Sequence, residues 1–167
     1  MEEIPLSNRL RKVLAKEQKK LEKNLQVKLT FEKDNVIISG EAFPEYIASK
    51  VLRAIDFSFD VESALLLSGE DYMLEIINLK SYVRPSRLKQ VKGRIIGEKG
   101  RAKRVISELT ECDIVIKDNT VALLGRTENI ALASKAVRLL ISGSQHASVY
   151  AFLEKNMAKQ RKKFLEE

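Results

Sequence analysis

The sequence predicts an α+β protein made of two copies of a β-α-α-β-β-α unit, the first degenerate, followed by a C-terminal helix. Three observations lead there. The chain repeats itself: at a constant offset of 85 positions, Ala48-Ser49-Lys50 falls on Ala133-Ser134-Lys135, Arg53 on Arg138 and Gly40 on Gly125. Its apolar residues alternate between the period of a strand and the period of a helix. Turn signals at Lys33-Asp34 and Asp118-Asn119 separate pairs of strand-like segments. The repeat runs without a gap from about residue 12 to residue 55, and Leu21 falls on Ile106 and Val27-Lys28-Leu29 on Cys112-Asp113-Ile114. A chain of 167 residues, 44% of them hydrophobic, suits one medium domain or two small ones. The boundary is expected near Gly69–Asp71, giving units 1–69 and 70–167.

The second copy is the more legible. Leu74–Leu79, with its β-branched pair, predicts a strand. Pro85 suits a helix start, and Leu88, Val91 and Ile95 follow at helical spacing. Gly97–Gly100 interrupts that helix, and Ala102, Val105, Ile106 and Leu109 mark the apolar face of the next. Asp113–Lys117 and Thr120–Leu124 predict two strands, the latter ended by Gly125, and Glu128–Ser142 a helix. In the first copy Glu3–Leu6 is a poor strand candidate because of Pro5. Asn8–Asn24 reads as helix, Val27–Glu32 and Asn35–Gly40 as strands, and Pro44–Ile55 as helix. A helix-compatible stretch follows each copy, Val61–Leu67 and Ser148–Lys163. Two small units with apolar surface to cover are expected to pack against each other.

Composition narrows the function. Lys and Arg number 30 against 23 Asp and Glu, a net charge of +7. The surplus is local. Arg84, Arg87, Lys89, Lys92, Arg94, Lys99, Arg101, Lys103 and Arg104 share their window with one acid, Glu98, whereas Ala54–Leu79 holds Asp56, Asp60, Glu62, Glu70, Asp71 and Glu75 and no Lys or Arg. A concentrated cationic window points to an anionic partner. The acidic stretch either offsets that charge or faces a basic partner. With Cys112 the only cysteine and His146 the only histidine, no disulfide, Cys-based metal site or Ser-His-Asp triad is expected. No catalytic residue, metal or cofactor is expected. The N-terminus lacks the basic and apolar regions of a leader, and no apolar run is long enough for a bilayer, so a cytoplasmic protein without membrane contact is expected.

The chemistry concentrates at Gly93-Arg94-Ile95-Ile96-Gly97-Glu98-Lys99-Gly100-Arg101, with Arg104 just beyond. Glycines without Cβ atoms let a sugar–phosphate backbone lie close. A helix starting at the loop turns free N–H groups and its positive end toward phosphates. Lys99, Arg101 and Arg104 add charge. Ile95, Ile96, Ile106 and Ile114 are expected to line an apolar groove, with the strand around Ile114–Ile116 reading base edges. A Walker loop is excluded, since Gly100 is followed by Arg101-Ala102, and a dinucleotide fingerprint is excluded by the glycine spacing. The alternative is a helix–turn–helix packing loop.

A Gly-x-x-Gly loop between the first two helices and ahead of a hairpin resembles the type I KH domain. That resemblance implies two type I KH domains, with a groove holding about four unpaired nucleotides. The first copy departs from the motif: Lys12-Val13-Leu14-Ala15 stands where the loop belongs, so its two helices are expected to fuse or join tightly. Its basic residues Arg9, Arg11, Lys12, Lys16, Lys19 and Lys20 either touch phosphates non-specifically or form a solvated face.

Two segments, Val91–Gly97 with Gly100 and Gly143–Glu154, resemble the archaeal and eukaryotic tandem KH-domain factors of small-subunit rRNA processing. The second carries a Gly-x-x-His-x-x-Val-Tyr-x-x-Leu-Glu element. The resemblance implies a non-catalytic protein binding single-stranded RNA near the 3′ end of small-subunit rRNA. It implies as partners the endonuclease that matures that end and the alpha subunit of translation initiation factor two. The chain length fits an archaeal member. A general KH regulator of other RNAs and a protein-only scaffold are the competing functions. His146 and Tyr150 serve either capping and packing or RNA contact, and Cys112 is expected in the core. The basic run Gln160–Lys163 suits a solvated helix end.

Overall fold

The computed structural model describes residues 1–167 as two compact units, Met1–Tyr72 and Met73–Glu167.

In the first unit, β1 (Glu2–Pro5) leads into α1 (Asn8–Leu25), then the hairpin β2 (Lys28–Glu32) and β3 (Asn35–Ser39), then α2 (Ala42–Asp56) and the short α3 (Val61–Leu65). The sheet order is β1-β3-β2, and both pairings are antiparallel. Pro5 does not prevent β1, contrary to the sequence expectation. β1 is an edge strand and Pro5 is its last residue, opposite Asn35, where a missing N–H removes no interior ladder bond. Ser7 caps α1 by accepting a hydrogen bond from the Leu10 N–H at 3.0 Å and donates its own hydroxyl to Asp56. No break occurs at Lys12–Ala15. Leu14 is fully buried there, and the fused helix runs 18 residues.

In the second unit, β4 (Tyr72–Asn78), whose first residue is the last of the first unit, is followed by two 3₁₀ turns, then α4 (Leu88–Ile96). A tight loop leads to α5 (Arg101–Thr110), the hairpin β5 (Asp113–Lys117) and β6 (Thr120–Arg126), then α6 (Thr127–Ile141) and α7 (His146–Glu166). The sheet order is β4-β6-β5, which leaves β5 at an edge. One core fills the unit, with Ile77, Val91, Ile95, Ile106, Leu123, Val137 and Leu153 all at most 2% exposed.

The offset of 85 survives in three dimensions. Shifted by 85, α2 falls on α6, β2 on β5, and the C-terminal end of α1 on that of α5. Both first hairpins are entered through a left-handed residue, Gln26 at φ 57° and Glu111 at φ 56°. Both final corners use a positive φ, Ser58 at 101° and Gly143 at 102°. Leu10 and Leu21 share full burial with their counterparts Ile95 and Ile106. Two copies of one β-α-α-β-β-α plan are therefore present, with the helix pair of the first fused into one.

Candidate nucleic-acid interface

The loop joining α4 and α5 is made by three residues with positive φ. Gly97 has φ 77°, Lys99 φ 53° and Gly100 φ 75°. The Gly97 N–H closes α4 onto the Gly93 carbonyl at 2.8 Å, and the Gly100 N–H turns back to the Gly97 carbonyl at 3.2 Å. The glycines answer different demands. A Cβ at Gly97 would sit 2.5 Å from the Ala102 nitrogen, so the fold itself requires glycine there. A Cβ at Gly100 would meet nothing within 4 Å, and only its φ calls for glycine. Gly93 needs neither. It lies inside α4 with an ordinary helical φ, is exposed, and has open space over it. Glycine in a helix interior costs about 1 kcal/mol relative to alanine. Nothing inside this unit offsets that cost.

No side chain caps α5, and Lys99 and Arg101 beside its positive N-terminal end are both exposed. Glu98 is exposed in the same loop, and Arg104 is exposed one turn into α5. Of the nine cations between Arg84 and Arg104, eight make no ion pair or hydrogen bond.

Arg94, expected among the RNA-binding residues, is the exception, because its side chain is engaged within the unit. Its Nη1 donates to the Leu140 carbonyl at 2.7 Å and its Nη2 to the Ser144 carbonyl. The guanidinium thus covers carbonyls at the end of α6 and the corner beyond, sharing that of Leu140 with the Gly143 N–H at 3.2 Å. The Arg94 carbonyl, itself in the last turn of α4, is 2.8 Å from His146 Nε2. That distance assigns His146 to capping, and its ring lies 6.1 Å from Tyr150, tilted by 54°. The same arginine clamp exists in the first unit. Arg9 Nε donates to the Ile55 carbonyl at 2.8 Å and Nη2 to the Phe59 carbonyl at 3.3 Å, each acceptor 85 positions before its counterpart. Sequence reasoning missed the clamp, although Arg9 and Arg94 stand at the repeat offset.

The apolar groove also needs correction. Ile95 and Ile106 are fully buried and Ile114 is 5% exposed, so all three support the loop from below and do not line an open floor. Ile96 and Ile116 are half-buried and keep an accessible face. Ile116 sits on edge strand β5, whose outer side carries backbone groups free of sheet partners. The structure thus brings Gly93, Gly97–Arg101 and Arg104 together around one loop and withdraws Arg94, Ile95, Ile106 and Ile114 into the fabric beneath.

The acidic residues of 54–79 are mostly engaged within their own units. Asp60 caps α3 through the Ser63 N–H at 2.7 Å, Glu62 pairs with Lys20, and Glu75 binds Arg138 and Ser134 at 3.1 Å. Cys112 is buried, which pushes its thiol up to about 11. No helix is long and apolar enough to cross a membrane.

Residues 73–158 match the eukaryotic-type KH domain (KH domain type I), in the form that describes the second KH domain of the pno1 proteins. A KH domain-containing protein of Methanocaldococcus jannaschii is 35% identical over 148 residues, covering 84% of this chain and 65% of that protein. The pre-rRNA-processing protein pno1 of Emericella nidulans is 32% identical over 117 residues, covering 68% of this chain and 45% of its own length. The crystal structure of an a/eIF2alpha–aDim2p–rRNA complex from Pyrococcus horikoshii superposes with a TM-score of 0.82 at 31% identity, covering 95% of this chain and 94% of that one. The chain spans about half to two thirds of the length of such curated relatives. A fold of two KH units, a glycine loop at the matched position and these relatives agree: the chain belongs to the KH-domain family of pno1 and Dim2p rRNA-processing factors, in its archaeal form.

Proposed function

We propose that this protein is a non-catalytic, single-stranded RNA-binding factor of small-subunit ribosome assembly, acting in the cytoplasm. It binds near the 3′ end of small-subunit rRNA through the loop of its second unit. Gly93, Gly97, Glu98, Lys99, Gly100, Arg101 and Arg104 meet the sugar–phosphate backbone, and Ile96, Ile116 and the edge of β5 meet bases. The observation that carries this reading is Gly93, a helix-interior glycine with open space over it, set among unpaired cations. Such a position makes sense when another molecule's backbone comes within contact of the helix. The Pyrococcus complex, which contains Dim2p, rRNA and a/eIF2alpha, supports RNA and that factor's alpha subunit as partners. The rRNA 3′-end endonuclease is proposed as a further partner on family resemblance. The first unit, Met1–Tyr72, acts as a degenerate KH domain without a reading loop, and the second, Met73–Glu167, as the reading domain.

Gly93→Ala is the direct test, because it separates folding from binding. The variant is expected to be as stable as the parent or more so by about 0.5–1 kcal/mol. It is expected to bind a short single strand from the rRNA 3′ end roughly tenfold more weakly, the equivalent of about 1.4 kcal/mol. Titration of labelled RNA, with thermal unfolding alongside, reads both. Unchanged affinity removes Gly93 as a contact, and with it the observation that carries this reading. Crosslinking in cells that recovers mainly mRNA would replace rRNA assembly with a general regulatory role.

A further inference from the structure

Arg94 and the corner between α6 and α7 hold each other from both sides. The Arg94 guanidinium donates to the Leu140 and Ser144 carbonyls. From the same corner His146, the first residue of α7, returns a hydrogen bond to the Arg94 carbonyl, with Nε2 at 2.8 Å. A carbonyl only accepts, so the ring carries a proton on Nε2. The ring is well seated. Tyr150 lies one turn along α7 with its own ring 6.1 Å away, and Val149 and Leu153 anchor that helix in the core.

The bond falls where α4 stops. A helix leaves its last carbonyls without intrahelical partners. That of Gly93 is met by the Gly97 N–H at 2.8 Å. The next, that of Arg94, would take the Glu98 N–H if the helix ran on. Gly97, at φ 77° and ψ 172°, instead swings the chain off the helix and begins the loop. His146 supplies the donor from a different helix.

The first unit provides the comparison. At the offset of 85, His146 falls on Val61, the first residue of α3, so α3 and α7 begin in register. Arg9 keeps the clamp on its own corner. Val61 has no donor to return, and α1 runs on from Asn8 to Leu25 through the place where α4 ends. The clamp is common to both units and does not account for the difference. Glycines permit the turn in the second unit but do not hold it, and an unheld loop must be ordered at the expense of affinity. We propose that His146 is a positioning residue for RNA binding. Its hydrogen bond to the Arg94 carbonyl ends α4 at Ile96 and holds the Gly97–Gly100 loop in the shape that receives phosphate. This inference rests on the reading that the loop meets RNA. Direct contact between the His146 ring and RNA is the competing role.

The test compares the full chain with His146→Ala, with His146→Gln, whose amide can place a donor where Nε2 stands, and with a control. The control is Gly125→Ala, which crowds Cys112 beyond the other end of α5. Hydrogen exchange at the Gly97 and Gly100 amides is followed without RNA, and titration of the short rRNA 3′-end strand gives affinity. In His146→Ala both amides are expected to exchange roughly tenfold faster. Affinity is expected to fall about fivefold, as for one lost hydrogen bond. His146→Gln should restore most of both, and Gly125→Ala should bind like the parent despite a lower melting temperature. Unchanged loop exchange in His146→Ala overturns the proposal, and lost affinity beside it assigns the ring to direct RNA contact. Losses of affinity in all three variants that follow their melting temperatures also overturn it, leaving His146 a general stabiliser. Lys99→Gln with Arg101→Gln separates the two readings. If that pair loses affinity and His146→Ala does not, the loop reading stands and the positioning role is wrong. If the pair binds like the parent, the loop reading itself has failed.

Discussion

Arg94 and Arg101 lie seven residues apart in one cationic window, yet their guanidiniums do opposite work. Arg94 spends its donors on two backbone carbonyls, whereas Arg101 has no partner within the unit. Arg94→Ala is therefore expected to lower stability by about 2 kcal/mol through lost charge-assisted hydrogen bonds, while leaving the salt slope of RNA binding unchanged. Arg101→Ala is expected to leave stability nearly intact and to shallow that slope by about 0.7. Titrations across salt, with thermal melts of both variants, distinguish the roles. Sequence alone treated the two alike, because net charge does not record where donors are spent. The one available cue lay unused in the repeat: Arg9 occupies the same place in a copy without a loop. Gly97 and Gly93 show the same limit. The sequence segment Gly93–Arg101 holds both, and only the fold shows that one fits against Ala102 while the other is bare.

Among the elements, the hairpins and closing helices were readable because their periodicity and turn residues agree. Predicted strands at Asp113–Lys117 and Thr120–Leu124 became β5 and β6, and the fused α1 follows from Lys12-Val13-Leu14-Ala15 having no helix breaker. β1 was misjudged because Pro5 penalises a strand interior and not the end of an edge. The groove was misjudged because periodicity places Ile95, Ile106 and Ile114 on an inward face without telling core from cleft. Where β6 passes the residue just before β5, contact is close enough to test. A Cβ at Gly125 would meet Cys112 Sγ at 2.7 Å. Gly125→Ala is expected to cost about 1–3 kcal/mol by overpacking. Cys112→Ala in that background should recover part of the loss, a coupling that a double-mutant cycle of denaturation measures. The thiol itself makes a pH prediction. Burial raises it from its ordinary value near 9 to about 11, against a weaker opposing effect from the Thr110 side chain. Folding thus favours the protonated thiol. Its contribution is fully present below pH 9 and is lost as pH rises toward 11. The parent should lose stability across that interval relative to Cys112→Ala.

For the molecule as a whole, the charge surplus of +7 is concentrated in unpaired side chains, so association with RNA should be strongly salt-dependent. A ligand that binds only the folded state adds about 2.7 kcal/mol when present at 100 times its Kd. Saturating rRNA fragment at low salt should therefore raise the unfolding midpoint. Raising the salt at fixed RNA should remove most of that shift, while the free protein changes far less. A midpoint that ignores RNA at low salt would contradict a site on the folded surface. The two-unit plan was the most legible level of all, because an ungapped offset carries residue identity, turn position and burial together.

The arginine clamp gives each molecule an internal control. Arg9 and Arg94 make the same pair of contacts on equivalent corners, but only one of those corners adjoins a glycine loop. Arg9→Ala and Arg94→Ala should injure their units alike. Any extra damage to RNA binding in the second measures how far loop shape depends on its foundation, free of the general cost of losing a staple.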